Sequence, residues 1–188
     1  MNNLKYDEEN QFHYNDDYVF FTKSFLSQWY GAFSGQESSF RTQIFGEIDV
    51  WFNCAEQAMM WSKAMLFSDY ETAQQVLAEK HPKEQKNLGR MVQPFNQQLW
   101  DDKKFQLIVN INKCKFAANK HLRNRLLETT KTKMLVEAAP WDSVWGIGMG
   151  VDDPNILDQS KWRGENLLGK SLMKVRESIM INEYGVFS

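Results

Sequence analysis

The apolar positions of this chain follow two different periods. Val19-Phe20-Phe21 is a short continuous apolar run and reads as a buried strand. Between Phe40 and Phe52 the pattern predicts a hairpin: Thr42-Gln43-Ile44-Phe45, a turn at Gly46-Glu47, then Ile48-Asp49-Val50-Trp51-Phe52. After Phe52 the spacing becomes helical. Helices are expected from about Asn53 to Phe67, from Asp69 to Glu79, and from Pro82, which suits a first helical position, through Leu88 toward Val92. Gln97 to about Asn119 is a long amphipathic stretch, with apolar positions at Trp100, Phe105, Ile108, Val109, Ile111 and Phe116. Lys120 to Glu128 adds another helix, and Met134-Leu135-Val136-Glu137 reads as a strand. Gly164 to about Asn182 reads as a closing helix. Residues 1–17 are polar and acidic and read as a loose arm. Residues 138–162 are irregular and rich in Gly, Asp and Trp; a loop of that length inside a compact domain is usually functional. The expected fold is α+β: a mainly helical single domain over residues 18–183 with a small sheet.

Composition narrows the classes. The 188 residues suffice for one domain with a sizeable core, with or without a long insertion. A net charge of -2 gives no global pull toward nucleic acid or membrane. Aromatic residues make up 14% of the chain, and the seven Trp suggest either large core anchors or stacking surfaces for a flat ligand. Cys54 and Cys114 make no disulfide or metal framework, and His13, His81 and His121 contain no pair at ligand spacing, so no metal site is expected. The start carries no signal-peptide pattern, and no apolar run approaches the ~18 residues that span a bilayer. A reduced cytoplasmic protein without a membrane partner is the expectation.

Chemistry concentrates in Asn53 to Ala64. Glu56 and Lys63 lie seven residues apart, and at about 100° per residue two turns return Lys63 to within roughly 20° of Glu56. One acid and one amine therefore share a face of an apolar helix, with Met59 and Met60 between them. Two structural readings compete. Asn53-x-x-Glu56 fits a capping pattern in which the acid reaches back to the cap's amide. Lys63 alone also fits a snorkelling lysine on a core helix. Cys54 has no nearby His in sequence and reads as a small core residue.

Three further segments carry signals. In Trp145-Gly146-Ile147-Gly148-Met149-Gly150 the glycines permit close backbone approach or positive φ. The following Val151-Asp152-Asp153-Pro154 excludes a dinucleotide fingerprint. The segment is either a ligand-facing loop with Trp145 and Trp141 as a stacking wall, or a structural loop packed under them. In Trp162 to Gly169, a glycine and a polar pair open the last helix, whose free amides would welcome a phosphate; an ordinary helix start is the alternative. Residues 113–133 hold seven Lys/Arg and one acid, either a solvated face or a contact for phosphates.

As an ordered set, these segments resemble the NADAR family, also called YbiA-like, from about Val19 to Ile179. The motifs are Phe20-Phe21 with Leu26-Ser27-Gln28-Trp29-Tyr30; Ala55-Glu56-Gln57-Ala58-Met59-Met60 with Lys63-Ala64; Leu88-Gly89-Arg90; Trp100; Lys115-Phe116; Leu135-Val136-Glu137-Ala138; Asp142 with Trp145-Gly146-Ile147-Gly148; and Trp162 to Gly169. The resemblance implies a YbiA-like fold and a hydrolase of N-glycosidic bonds to ribose that needs no cofactor. It implies two substrate types: phosphorylated ribosylamino-pyrimidine intermediates of riboflavin synthesis, and ADP-ribose attached to guanine of nucleic acid, where removal reverses a toxin's modification. Glu56 and Lys63 correspond to the family's acid and amine. Motif position then makes Arg90 a phosphate clamp, Trp29 and Trp145 stacking or lining residues, and Asp142 or Asn166 partners of ribose hydroxyls. Phe21, Ser27, Gly146 and Gly148 complete the substrate-binding set. Gln28 stands where the family more usually has Asn, and Ala55-Glu56-Gln57 where Ser-Glu-His is common. Gln57 cannot titrate and is confined to hydrogen bonding.

Cleavage of such a bond builds positive charge at the anomeric carbon, which Glu56 is placed to stabilise while protonating the leaving base. Lys63 serves either as an ammonium bound to phosphate or as a neutral amine forming a Schiff base with the opened sugar. The second role is favoured by the resemblance and requires a depressed pKa, which an ionised Glu56 nearby would oppose. The expected partner is a nucleotide or ADP-ribosylated nucleic acid. The rival readings are hydrolysis of a ribosylamino-pyrimidine phosphate, non-catalytic binding of ADP-ribose-like ligands, and a structural or partner-binding protein that merely has the fold.

Overall fold

The computed structural model describes residues 3–32, 38–44, 46 and 49–184. Phe45, Glu47 and Ile48 of the expected hairpin lie outside the described residues. In chain order the elements are β1 (Lys5–Asp7), β2 (Phe12–Tyr14), β3 (Tyr18–Phe21), β4 (Phe40–Thr42), β5 (Val50–Phe52), α1 (Ala55–Leu66), α2 (Tyr70–Ala78), α3 (Pro82–Met91), α4 (Gln97–Ala118), α5 (Lys120–Thr130), β6 (Met134–Glu137), a short 3-10 helix (Gln159–Lys161) and α6 (Leu167–Tyr184). This is the α+β, mainly helical class expected from the periodicities. The chain divides into two compact units, Met1–Ser27 with Asn124–Ser188, and Gln28–Arg123. Among the described residues no helix is long and apolar enough to cross a membrane.

The first unit is built on a four-stranded sheet in the order β1-β2-β3-β6. β1, β2 and β3 pair antiparallel, and β3 pairs parallel with β6. The segment expected to be a loose arm therefore supplies two strands. Its polar composition concealed Tyr6, Phe12 and Tyr14, and Asp7 closes the turn between the strands. The Asp7 carboxylate accepts from the Asn10 amide at 2.8 Å and from Asn10 Nδ2 at 2.9 Å. Arg125 anchors that turn to α5, donating to Asn10 Oδ1 at 2.9 Å while lying 4.4 Å from the Phe25 ring centroid. Tyr6, His13, Phe20 and Val136 are successive register partners across the sheet and so share a face. Phe20 and Val136 enter a core with Ala138, Ile147, Met149 and Ile156. α6 buries Leu168, Leu172 and Val175, and Arg176 donates to Thr130 Oγ1 at 2.9 Å and to the Lys133 carbonyl at 2.8 Å.

The last helix begins at Leu167, not at Gly164. Residues 163–166 are consumed by pairing with the preceding loop, and Asn166 has φ +54, which no helix accommodates.

The second unit is organised around α1. Ala55 to Ser62 and Ala64 are all buried, so this helix is core on nearly every side. α2, α3, α4 and the β4–β5 hairpin pack around it, with Trp61 against Phe52 at 5.4 Å between ring centroids. The start of α1 differs from the expected pattern. Cys54 occupies the cap position, and Gln57, not Glu56, reaches back to the Asn53 amide at 2.8 Å. Gln57 Nε2 also donates to the carbonyls of Val76 and Glu79 at 3.0 Å, tying α1 to the end of α2. One residue thus performs the capping assigned to Glu56, because a neutral amide can both accept and donate in a buried place.

Candidate active site

Glu56 sits in the first turn of α1 and is only 5% exposed. Its amide donates to the Gln28 carbonyl at 3.0 Å, and the Trp29 indole N–H donates to its Oε2 at 3.2 Å. The turn at residues 28–29 is therefore pinned to the acid by two bonds. Gln28 is itself buried, donating through Nε2 to Asn112 Oδ1 of α4 at 3.2 Å. Its Oε1 is buried without a hydrogen-bond partner among the described residues. A lone buried acceptor beside a buried carboxylate marks a place where a donor is wanted.

Lys63, two turns along, is half-buried. Its amine donates to the Gly89 carbonyl in the last turn of α3 at 2.6 Å and lies 4.4 Å from the Phe95 centroid and 5.5 Å from that of Trp100. Burial, and then the charge of Arg90, hold its pKa below the ordinary lysine value. Glu56 is not among the groups acting on it. The two residues share a helix as their spacing required, but the amine is boxed by α3 and two rings rather than paired with the acid. The expected opposition of Glu56 to a neutral Lys63 is thus absent. Arg90 is exposed at the end of α3 and touches Asn87 at 3.5 Å.

Two neighbours complete this environment. Cys54 is fully buried, and burial pushes its thiol up to about 12, which removes it as a nucleophile. Lys115 of α4 is fully buried as well, 5.8 Å from the Tyr30 centroid, and burial pushes its amine down to about 7. The sequence places Lys115 in a basic tract and in the Lys115-Phe116 motif, and neither marks it as a core residue. Its signal was nonetheless present: Ile108, Ile111, Asn112, Lys115 and Phe116 repeat at helical spacing as one buried stripe. Phe95 had no such signal, since it lies in the turn before α4 and outside any periodic run.

The basic tract is not a single solvated face. Lys115 is core, Arg125 holds the β1–β2 turn, and Lys133 donates to the Asn15 carbonyl beside the Tyr14 ring. Lys113, Lys120 and Lys131 are exposed.

The remaining expected site residues lie in the first unit. Phe21 is buried at the end of β3, where its carbonyl accepts from the Ala138 amide at 2.9 Å. Ser27 is buried, its amide bonded to the Ser24 carbonyl at 2.9 Å. Asp142 Oδ1 accepts from the amides of Val144 at 3.0 Å and Trp145 at 2.8 Å, which folds the loop back on itself. Gly146 answers a backbone need: a Cβ there would meet the Glu137 carbonyl at 2.8 Å and the Asp142 carbonyl at 3.0 Å. Gly148 takes φ +65. The close approach permitted by these glycines is backbone against backbone. Trp141 is exposed and Trp145 half-buried.

The amides expected to cradle a phosphate at the last helix are already committed. Those of Glu165, Asn166, Leu167 and Leu168 donate to the carbonyls of Ser143, Gly146, Val144 and Trp145. Asn166 is 2% exposed; its Oδ1 accepts from the Glu137 amide at 3.0 Å and its Nδ2 donates to the Leu135 carbonyl at 2.9 Å. It locks β6 to α6 instead of presenting a hydroxyl partner.

The NADAR domain family matches residues 12–180. An N-glycosidase of Acanthamoeba polyphaga mimivirus is 38% identical over 170 residues, covering 86% of this chain and 96% of the relative. The chloroplastic riboflavin biosynthesis protein PYRR of Zea mays is 32% identical over 114 residues, which are 58% of this chain and 16% of that protein. The NMR structure of the Escherichia coli protein YbiA has the same fold, with a TM-score of 0.64 at 23% identity, covering 93% of this chain and 92% of its own. The chain belongs to the NADAR family.

Proposed function

We propose that this protein hydrolyses N-glycosidic bonds to ribose and that its substrate is ADP-ribose attached to a guanine base of nucleic acid. Similarity to an N-glycosidase along nearly the whole of both chains supports the glycosidase chemistry. The observation that carries the reading is Lys63: a half-buried amine with a lowered pKa, on the same helix as the buried carboxylate of Glu56.

In this mechanism Glu56, steadied by the Trp29 indole, stabilises positive charge on the ribose as its bond to the base lengthens. The neutral amine of Lys63 adds to C1 of the ribose as the bond from C1 to the base breaks, and the base leaves with one proton of the amine. The C1–O4′ bond then opens as the lysyl imine forms, and the second amine proton passes to O4′. Water then hydrolyses the imine, releasing ADP-ribose and restoring the amine. Phe95 and Trp100 exclude water from one side of the amine, and the Gly89 carbonyl aims it. Arg90, exposed beside it, serves as the phosphate clamp. Asp142, Trp145 and the glycines shape the loop, with Asn166 as its fastening.

The test is incubation with a guanine-ADP-ribosylated oligonucleotide, read by mass, for the wild type and for Lys63→Ala. Loss of the ADP-ribose mass by the wild type alone supports the proposal, and borohydride should trap a covalent adduct that Lys63→Ala cannot form. Unchanged oligonucleotide in both samples sinks it. Similarity to a riboflavin biosynthesis protein favours a second reading, a ribosylamino-pyrimidine phosphate substrate. Steep loss of activity with salt separates the polyanion from that small substrate. Tight ADP-ribose binding without turnover would point to a binding module.

A further inference from the structure

A cavity of about 300 Å³ lies in the first unit, away from Glu56 and Lys63 in sequence; of its lining, only Phe21 belongs to the substrate-binding set that the resemblance implies. It opens where the two parallel strands end: Phe20, Phe21 and the following Thr22 and Lys23 line it from β3, and Ala138 from just past β6. Carboxyl ends of parallel strands are recurrent ligand positions, because side chains there converge while the backbone has left the ladder. Tyr6 and His13, register partners on β1 and β2 whose rings stand 4.8 Å apart, continue the lining on the sheet face that carries Phe20. Gln11, held at φ +55 in the turn between those strands, adds an amide. Tyr6 and Gln11 precede residue 12, where the family match begins, and His13 lies within it.

We propose that this cavity binds a nucleoside monophosphate. Exposed Tyr6 brings aromatic surface for a flat base, above a floor of Phe20 and Phe21 that are packed into the core. The Gln11 amide and the Thr22 hydroxyl supply a donor and acceptors for its edge. Exposed Lys23 and the imidazole of His13 face the same space and supply the charge and the donor that a phosphate requires. The volume decides how much ligand fits. About 300 Å³ is the lower end of ligand sites, so one base with its sugar and one phosphate are accommodated and a dinucleotide is not. The proposal does not depend on which N-glycoside is cleaved at Glu56 and Lys63.

The experiment is a titration of the full chain with adenosine 5′-monophosphate, adenosine and inorganic phosphate, followed by calorimetry and amide NMR shifts. The monophosphate should bind at least about tenfold more tightly than either fragment, a difference of ~1.4 kcal/mol. The largest shifts should fall at Gln11, His13, Thr22 and Lys23. Lys23→Ala, at an exposed position that does not hold the fold, should weaken the monophosphate about tenfold and leave adenosine unchanged. His13→Gln, which keeps a hydrogen-bond donor, should weaken it less. Shifts centred on Trp29 and Lys63 instead, a monophosphate affinity indifferent to Lys23→Ala, or equal affinity for the monophosphate and one fragment would each overturn the proposal.

Discussion

Lys63 shows how one residue acquires its chemistry from its surroundings. Its depressed pKa has burial as the larger cause and the Arg90 charge as the smaller. A depressed pKa means that the neutral amine forms at lower pH, so a reaction needing that form rises with pH and levels off below the free lysine value of 10.5. Arg90→Ala removes the smaller cause, and the rising limb of kcat/KM against pH should move to higher pH. An unmoved limb would mean that Arg90 does not tune the amine. The spacing of Glu56 and Lys63 was legible because helical geometry is local. The box around Lys63 was not, since Gly89, Phe95 and Trp100 reach it from α3, a turn and α4.

Among the elements, the junction of β6 with α6 departs furthest from its sequence pattern. Gly164-Glu165-Asn166 reads as a helix start with open amides, and the loop at 143–146 takes those amides. Gly169, in the first turn of α6, makes the consequence measurable. By propensity alone alanine in a helix gains roughly 1 kcal/mol over glycine. Here a Cβ would stand 2.0 Å from the Leu135 carbonyl and 2.6 Å from both polar atoms of the Asn166 side chain. Backbone cannot yield that distance, so overpacking of about 3 kcal/mol outweighs the propensity gain. Gly169→Ala should lower Tm by roughly 4–10 °C in a thermal melt. A raised Tm would show that α6 can shift away from β6.

For the whole molecule, the fully buried amine of Lys115 sets a pH dependence of stability. Unfolded, this lysine keeps its proton up to about 10.5; folded, it releases it at about 7. Between those values the unfolded state binds the extra proton, so stability rises with pH across that window. Lys115→Met fills the same space without the ionisation. Its stabilisation should be largest at pH 6.5 and smaller at pH 9 by about 1–3 kcal/mol, read from chemical denaturation at both. Parallel pH profiles for the two proteins would show that Lys115 stays charged within the fold.

The order and type of the helices, the strands at Val19 and Met134, and the placement of Glu56 and Lys63 on one helix were determined by the sequence alone, because each rests on spacing within about two turns or one strand. The family, too, was legible from motifs in order. Tertiary structure decided the rest. It made strands of the polar first residues, because Tyr6 and Tyr14 gain a sheet to pair with. It gave the cap to Gln57, placed Lys115 in the core, and closed the Gly-rich loop against its own backbone. The carbonyls of Val76 and Glu79 that hold Gln57 and the Phe20 strand that takes up β2 come from other parts of the chain, and periodicity carries no information about which carbonyl, ring or amide will arrive.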